Sequence, residues 1–420
     1  MSIPLDRLYH FIENIAKEIN DNIIIYRFWP HGSKKLEDLS EICGPLSWQT
    51  RVLGYSMWCH DQEPLNYELY QHCSAPDKVT NLLQSVGITP SQGLPYLSTI
   101  HGKGYLLHSE KRSEEVIKYQ NSQVIPIYYW SHALIALDWF RFAQHIKQKK
   151  QVKKIFLIYS RAWSGTREYR LKFAELLIKL NLQNNCKTTI NPIEPELGIH
   201  YNQHLFNNPT WQPLCILEDY FPTTTATSHC SADFNITDYE ATDIEVVLET
   251  LFDDQRLHLT EKSLRPITCG QPFILAGTHG SLEYLRSYGF KTFSTVWDES
   301  YDLIENPKER LLAIVDLMRI ISCWSPAERI NKLIEAQSIA DYNRKHVFSK
   351  EFFNQVVAEL KTNLTITANQ EFDTTSTVDR LEQFLTYKEI QEYLESESDV
   401  CYPTMHQVNA VLKIAKKLQK

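Results

Sequence analysis

Short apolar runs alternating with helix-like stretches constrain this chain more than any other feature. Residues 23–29 (IIIYRFW), 51–59 (RVLGYSMWC), 104–108 (GYLLH) and 124–130 (VIPIYYW) are rich in Ile, Val and Tyr and have the length of buried strands. Helix-like pieces, 79–86 and 113–120, lie between them. After the fourth run, HALIALDWFRFAQHIKQ repeats apolar residues at three- and four-residue spacing, the pattern of an amphipathic helix. Strand and helix in alternation predict an α/β fold with a parallel sheet.

The alternation occurs twice. A basic stretch, Lys147 to Lys154, carries little core and reads as an interdomain linker. Beyond it KIFLIYS (154–160) is a strand, RAWSGT a loop, and 167–182 a helix with Leu171, Ala174, Leu177, Ile178 and Leu180 on its apolar side. Residues 187–242 are polar and irregular. Order resumes with IEVVLETLF (244–252), followed by helix 259–269, strand 271–277, helix 281–289 and strand 290–298. From Pro307 the pattern is helical: 307–324, 326–345, 350–363, 377–396 and 404–420. A chain of 420 residues suits two domains plus an extension. The expected division is 1–150, 151–306, and a helical extension 307–420 packing on both.

Charge and cysteine content narrow the function classes. A net charge of −8 provides no overall basic field for a polyanion. Nine scattered cysteines without a C-x-x-C pair read as reduced core residues of a cytoplasmic protein. The N-terminal segment has acids among its apolar positions and reads as neither signal peptide nor anchor, and no apolar run approaches the roughly 20 residues of a membrane span.

Four segments carry candidate chemistry. Ser160 to Arg170 joins a strand to a helix and holds Arg161, Arg167 and Arg170 with the hydroxyls of Ser164 and Thr166, the donor set a diphosphate needs. Its plainer reading is a helix capped by Thr166 with solvated arginines. Thr260-Glu261-Lys262 opens a short helix that leads through Gly270-Gln271-Pro272 into an apolar strand. His60, Asp61 and Glu63, at the carboxyl end of a strand, are candidates for a general base, with Asp61 favoured; a metal site or a turn capped by Pro64 fits the same residues. His132, in the first turn of a helix, is a candidate acceptor or phosphate contact or a simple cap. His279, in the Gly277-to-Ser281 loop, is a weaker cleft candidate, and the acids of 297–302 would line the cleft or cap the helix after them. No zinc-ligand spacing occurs, and Asp253-Asp254 falls in a loop rather than at a strand end.

The two arginine and Thr-Glu-Lys segments, about ninety residues apart and in this order, resemble the C-terminal half of GT-B glycosyltransferases, most closely the α-1,3-fucosyltransferase-like superfamily and its bacterial and phage relatives. The resemblance covers roughly 154–300. It implies two Rossmann-like domains, a nucleoside-diphosphate sugar as donor and no cofactor. Arg167 with Ser160 and Ser164 would grip the diphosphate, Glu261 would bind ribose or sugar hydroxyls, and Lys262 the phosphates. Ser160-Arg161-Ala162-Trp163 departs from the family's usual loop, and His258-Leu259 stands where an aromatic is usual. The implied reaction is an inverting, metal-independent sugar transfer in a bacterial cell or phage-infected host, with a glycan or a hydroxymethylated phage DNA base as acceptor. The competing expectations are a silent nucleotide-binding or interaction module and a metal-dependent hydrolase using His60, Asp61 and Glu63.

Overall fold

The computed structural model describes residues 11–12, 14–15, 18, 24–27, 56–60, 104–120, 124–146, 149–195, 197–214 and 233–368. The expected helices 79–86, 377–396 and 404–420, and the candidates Asp61 and Glu63, lie outside the described residues. Contacts divide the chain into two units, the first Ile3–Asp138 with Asn354–Lys420, the second centred on Trp139–Phe353.

The first unit holds four parallel strands, β1 (Ile24–Arg27), β2 (Ser56–His60), β3 (Gly104–His108) and β4 (Val124–Tyr128), in the order β1-β2-β3-β4. Every expected strand of this half is present, and β4 ends at Tyr128 rather than at Trp130. Helix α1 (Glu114–Gln120) packs on β4, and α2 (Ser131–Trp139) follows that strand. The amphipathic pattern 132–148 is helical only to Trp139 and continues as a 3-10 turn, Arg141–His145.

The second unit is built on β5 (Lys154–Ile158), β6 (Cys186–Thr188), β9 (Thr242–Leu248) and β10 (Phe273–Ala276), all parallel, in the order β10-β9-β5-β6. A short antiparallel pair, β7 (Ile193–Glu194) and β8 (Ile199–His200), lies in the polar region. β9 and β10 are buried almost throughout, as strands covered on both faces must be. The chain steps one way from β5 to β6 and the other way to β9 and β10. Right-handed crossovers then place α3 (Tyr169–Lys179) and α5 (Glu261–Cys269) on opposite faces. Two C-terminal helices complete the faces: α7 (Pro307–Ser322) packs on α3, and α8 (Pro326–Val347) on α5. Asn306 and Ser325 cap them ahead of Pro307 and Pro326, so each starts where a cap and a first-turn proline coincide.

Two expectations are corrected. The segment 290–298 is not a strand: Val296 and Trp297 both donate from their backbone N–H to the Phe293 carbonyl, at 2.8 and 3.0 Å, and Phe293 stacks on Trp297. Its aromatic and β-branched residues fill the core from a turn, which periodicity does not separate from a strand. The basic run is not a free linker either. Lys150 Nζ donates to the carbonyls of Tyr239 and Thr242, each at 2.9 Å, and to Gln271, binding the run to the amino ends of β9 and β10. Helices α7 and α8 fall wholly within the second unit, and the division comes at Asp138 and Phe353.

Among the described residues, Cys186 and Cys269 are buried and Cys323 is exposed, each with its thiol outside any disulfide. No described helix is long and apolar enough to cross a membrane.

Candidate functional site

The strand order of the second unit's sheet reverses between β5 and β9, the place at the carboxyl ends where sheets of this kind take ligands. The loops there, 159–168 and 249–260, together with the first turns of α3 and α5 that follow them, carry the arginine and Thr-Glu-Lys signals.

The first loop is anchored by its apolar and small residues. Trp163 is buried and donates its indole N–H to the Asn191 carbonyl at 2.9 Å. Buried Ser160 is held through its backbone, its N–H on Thr189 Oγ1 at 2.9 Å. Ser164 Oγ lies 3.1 Å from Glu194 Oε1. Gly165 has φ +64°, in open space, a turn that favours glycine. The turn brings Arg167 back over Ser164, whose carbonyl accepts from both the Arg167 backbone N–H and Nε at 3.3 Å. Arg167 is half-buried, and no carboxylate pairs with it among the described residues. Arg161 is half-buried in the same loop, and Thr166 is exposed and caps nothing: Ser164 and Glu168 occupy the cap positions.

Glu249 joins the two loops, and sequence reasoning passed over it. Fully buried just beyond β9, its carboxylate accepts from the backbone N–H groups of Thr260 and Ser263 at 3.1 and 3.2 Å, from Thr260 Oγ1 at 2.7 Å, and from Ser263 Oγ. It fills the positive N-terminus of α5 with the protein's own anion. Its carbonyl accepts from the Tyr169 hydroxyl at 2.7 Å and from Arg170 at 3.0 Å. The only signal in the sequence was an acid closing an apolar strand.

Within the Thr-Glu-Lys segment, Thr260 caps α5, accepting from the Lys262 N–H. Lys262 Nζ lies 2.9 Å from Glu261 Oε1 and 3.3 Å from both Thr250 Oγ1 and Thr260 Oγ1. Glu261 is buried and Lys262 half-buried, and the ammonium has its neighbour as counterion.

Two buried arginines tie these loops together. Arg170 donates to the carbonyls of Ala162, Leu248 and Glu249 at 2.5 to 3.0 Å. Burial pulls its guanidinium below its ordinary pKa, and the charge of Arg167 pushes the same way. Arg170 therefore belongs to the scaffold under the site. Arg310 of α7 does the same for the next loops, reaching the carbonyls of Gly277, Ile304 and Phe252, with its guanidinium over the Phe252 ring. That ring stacks on Tyr169 at 4.3 Å. Burial also raises the Tyr169 hydroxyl well above its usual range, which keeps it a hydrogen-bond donor.

A second unforeseen pair lies beside Arg167. Glu168, 1% exposed, accepts from His204 Nε2 at 2.9 Å and from the backbone N–H groups of Asn207 and Asn208 at 2.8 and 3.0 Å. Trp163 and Phe206 meet the imidazole edge-on.

His60 ends β2 in register with His108 of β3. His132 is buried inside α2. His279 is half-buried in the turn before α6 (Ser281–Ser287). Asp302 caps α6, the helix before it rather than one after it, accepting from the Leu282 N–H at 3.0 Å. Burial pushes the Asp302 carboxyl up to about 6. Among the described residues no group of three or more His, Cys, Asp and Glu is placed to hold a metal. No family model, curated protein or solved structure matches the chain.

Proposed function

We propose that the second unit binds a nucleoside-diphosphate sugar and that the chain is a glycosyltransferase of the GT-B kind, with two Rossmann-like domains. The observation that carries the reading is Arg167, a half-buried guanidinium without a carboxylate partner among the described residues, on the loop where the sheet reverses. Lys262 stands in the first turn of α5, after the loop that leaves β9, and Glu249 couples the two segments. Because Glu249 already occupies the α5 N-terminus, the side chains of Arg167 and Lys262, rather than the helix amides, take the diphosphate.

In this reading the acceptor hydroxyl oxygen attacks the anomeric carbon, and the bond from that carbon to the diphosphate oxygen breaks. Its electron pair leaves on the nucleoside diphosphate, where Arg167 and Lys262 stabilise the growing charge without a metal ion. The hydroxyl proton passes to a base assigned to the His60, Asp61 and Glu63 segment, with Asp61 favoured, and the acceptor is a glycan or a hydroxymethylated DNA base held by the N-terminal half. Glu261 takes ribose or sugar hydroxyls on donor binding.

The test is release of nucleoside diphosphate from a set of nucleotide sugars. Turnover with at least one donor, falling about 100-fold or more in Arg167→Ala, is the expected result. No turnover with any donor, or an Arg167→Ala variant as fast as wild type, overturns the proposal.

A further inference from the structure

The first unit contains a cavity of about 630 Å³ at the carboxyl ends of β3 and β4. That is the size of a site for a small molecule. Its polar wall is the loop from His108 to Glu114, its floor includes Tyr128, and Asn363 of helix α9 (Lys350–Ala368) closes one side. The amide of Asn363 is anchored on the Tyr128 carbonyl at 2.6 Å, which fixes that side in place.

The lining mixes charges of both signs around an apolar body. Lys111 and Arg112 are consecutive and both line the cavity, and Arg112 adopts φ 57°, a left-handed turn that costs a non-glycine residue about 1–2 kcal/mol. Strain of this kind concentrates at ligand-binding loops. Lys111 Nζ lies 4.7 Å over the Tyr128 ring and 4.0 Å from Glu359, at the outer limit of an ion pair. Burial lowers the pKa of this lysine, although Glu359 opposes the shift. Glu110, a buried carboxylate, lines the same space, and the Ser113 hydroxyl is buried there without a hydrogen-bond partner. Ile117 and Pro126 supply an apolar wall beside the Tyr128 ring.

A plain anion would use the cations and leave Glu110 facing it; a hydrocarbon would use only the wall. We propose that the cavity binds a small sugar carrying one anionic group, a sugar phosphate or a sugar acid. Lys111 and Arg112 take the anion, Glu110 and Ser113 accept and donate to the hydroxyls, and Tyr128 with Ile117 covers the apolar ring face. The site stands on residues of the first unit alone and does not depend on the nucleotide reading.

Isothermal titration of the full chain with panels of hexose and pentose phosphates, hexuronates, the corresponding neutral sugars and inorganic phosphate tests it. At least one phosphate or acid should bind tenfold or more tightly than its neutral sugar and than inorganic phosphate, the relative strength of the two panels identifying the anion. Lys111→Met should weaken it about tenfold. Arg112→Gly, which suits the left-handed turn, should keep the wild-type melting temperature and still weaken binding at least fivefold. Arg167→Ala should leave this binding unchanged, which separates the site from the nucleotide site. Absence of binding across the panels, equal binding of neutral sugars or of inorganic phosphate, or variants at positions 111 and 112 that bind as wild type would each contradict the proposal.

Discussion

Among the described residues the two units each carry a parallel sheet of four strands, in different strand orders, and their carboxyl edges differ accordingly. In the first the described strands run β1-β2-β3-β4 without reversal, and the loop after β3 surrounds a cavity. In the second the order reverses between β5 and β9, and the loops there are filled by a buried network of Tyr169, Arg170, Glu249 and Arg310. The difference separates two ways of preparing a site. One edge leaves space and lines it; the other fills the space with scaffold and presents two cations, Arg167 and Lys262, at its rim.

If the second edge is wired in this way, removing its hub is the most damaging change. Glu249→Ala leaves two buried N–H groups, two hydroxyls and the Thr250 N–H without their acceptor, and should cost about 3–5 kcal/mol in denaturant unfolding. A loss below about 1 kcal/mol would erase the contrast with the hollow edge, where Arg112→Gly should be nearly neutral.

Asp302 gives the next largest effect. Its folded pKa of about 6 lies above the ordinary 3.8, so the native state holds its proton more tightly. The stabilisation is complete below pH 4 and is lost as pH rises through 6, about 3 kcal/mol in all. Asp302→Asn keeps an oxygen for the Leu282 N–H and removes the titration. Melting curves from pH 4 to 8 should show the variant gaining on wild type as pH rises; parallel curves would refute the assignment.

Two glycines sharpen the picture at smaller amplitude. A Cβ on Gly277 would stand 2.8 Å from Ser281 Oγ, in the tight turn whose carbonyl Arg310 holds, and Gly277→Ala should cost about 1–3 kcal/mol. At Gly165 the space is open and only φ +64° resists a side chain, so Gly165→Ala should cost about 1 kcal/mol. The reverse order of the two would place the strain in the arginine loop instead.

The α/β alternation, both parallel sheets and the starts of α5, α7 and α8 were legible because periodicity, caps and prolines report local structure. The strand order was not legible, since pairing is decided between segments far apart in the chain. Glu249 and Arg310 escaped notice for the same reason: an acid after a strand and an arginine in a helix look solvated until folding buries them against distant backbone groups. Arg170 shows the limit most clearly. In sequence it stands beside Arg167 as a second ligand for phosphate, and one helical step turns it inward onto three carbonyls.

The central claim is that Arg167 and Lys262 hold a diphosphate where the second sheet reverses. Titration calorimetry with UDP, GDP, ADP, CDP and dTDP on wild type, Arg167→Ala and Lys262→Ala tests it most directly. The account predicts that at least one nucleotide binds and that each variant weakens it tenfold or more, about 1.4 kcal/mol or above. No binding by wild type, or an Arg167→Ala variant with wild-type affinity, would contradict it.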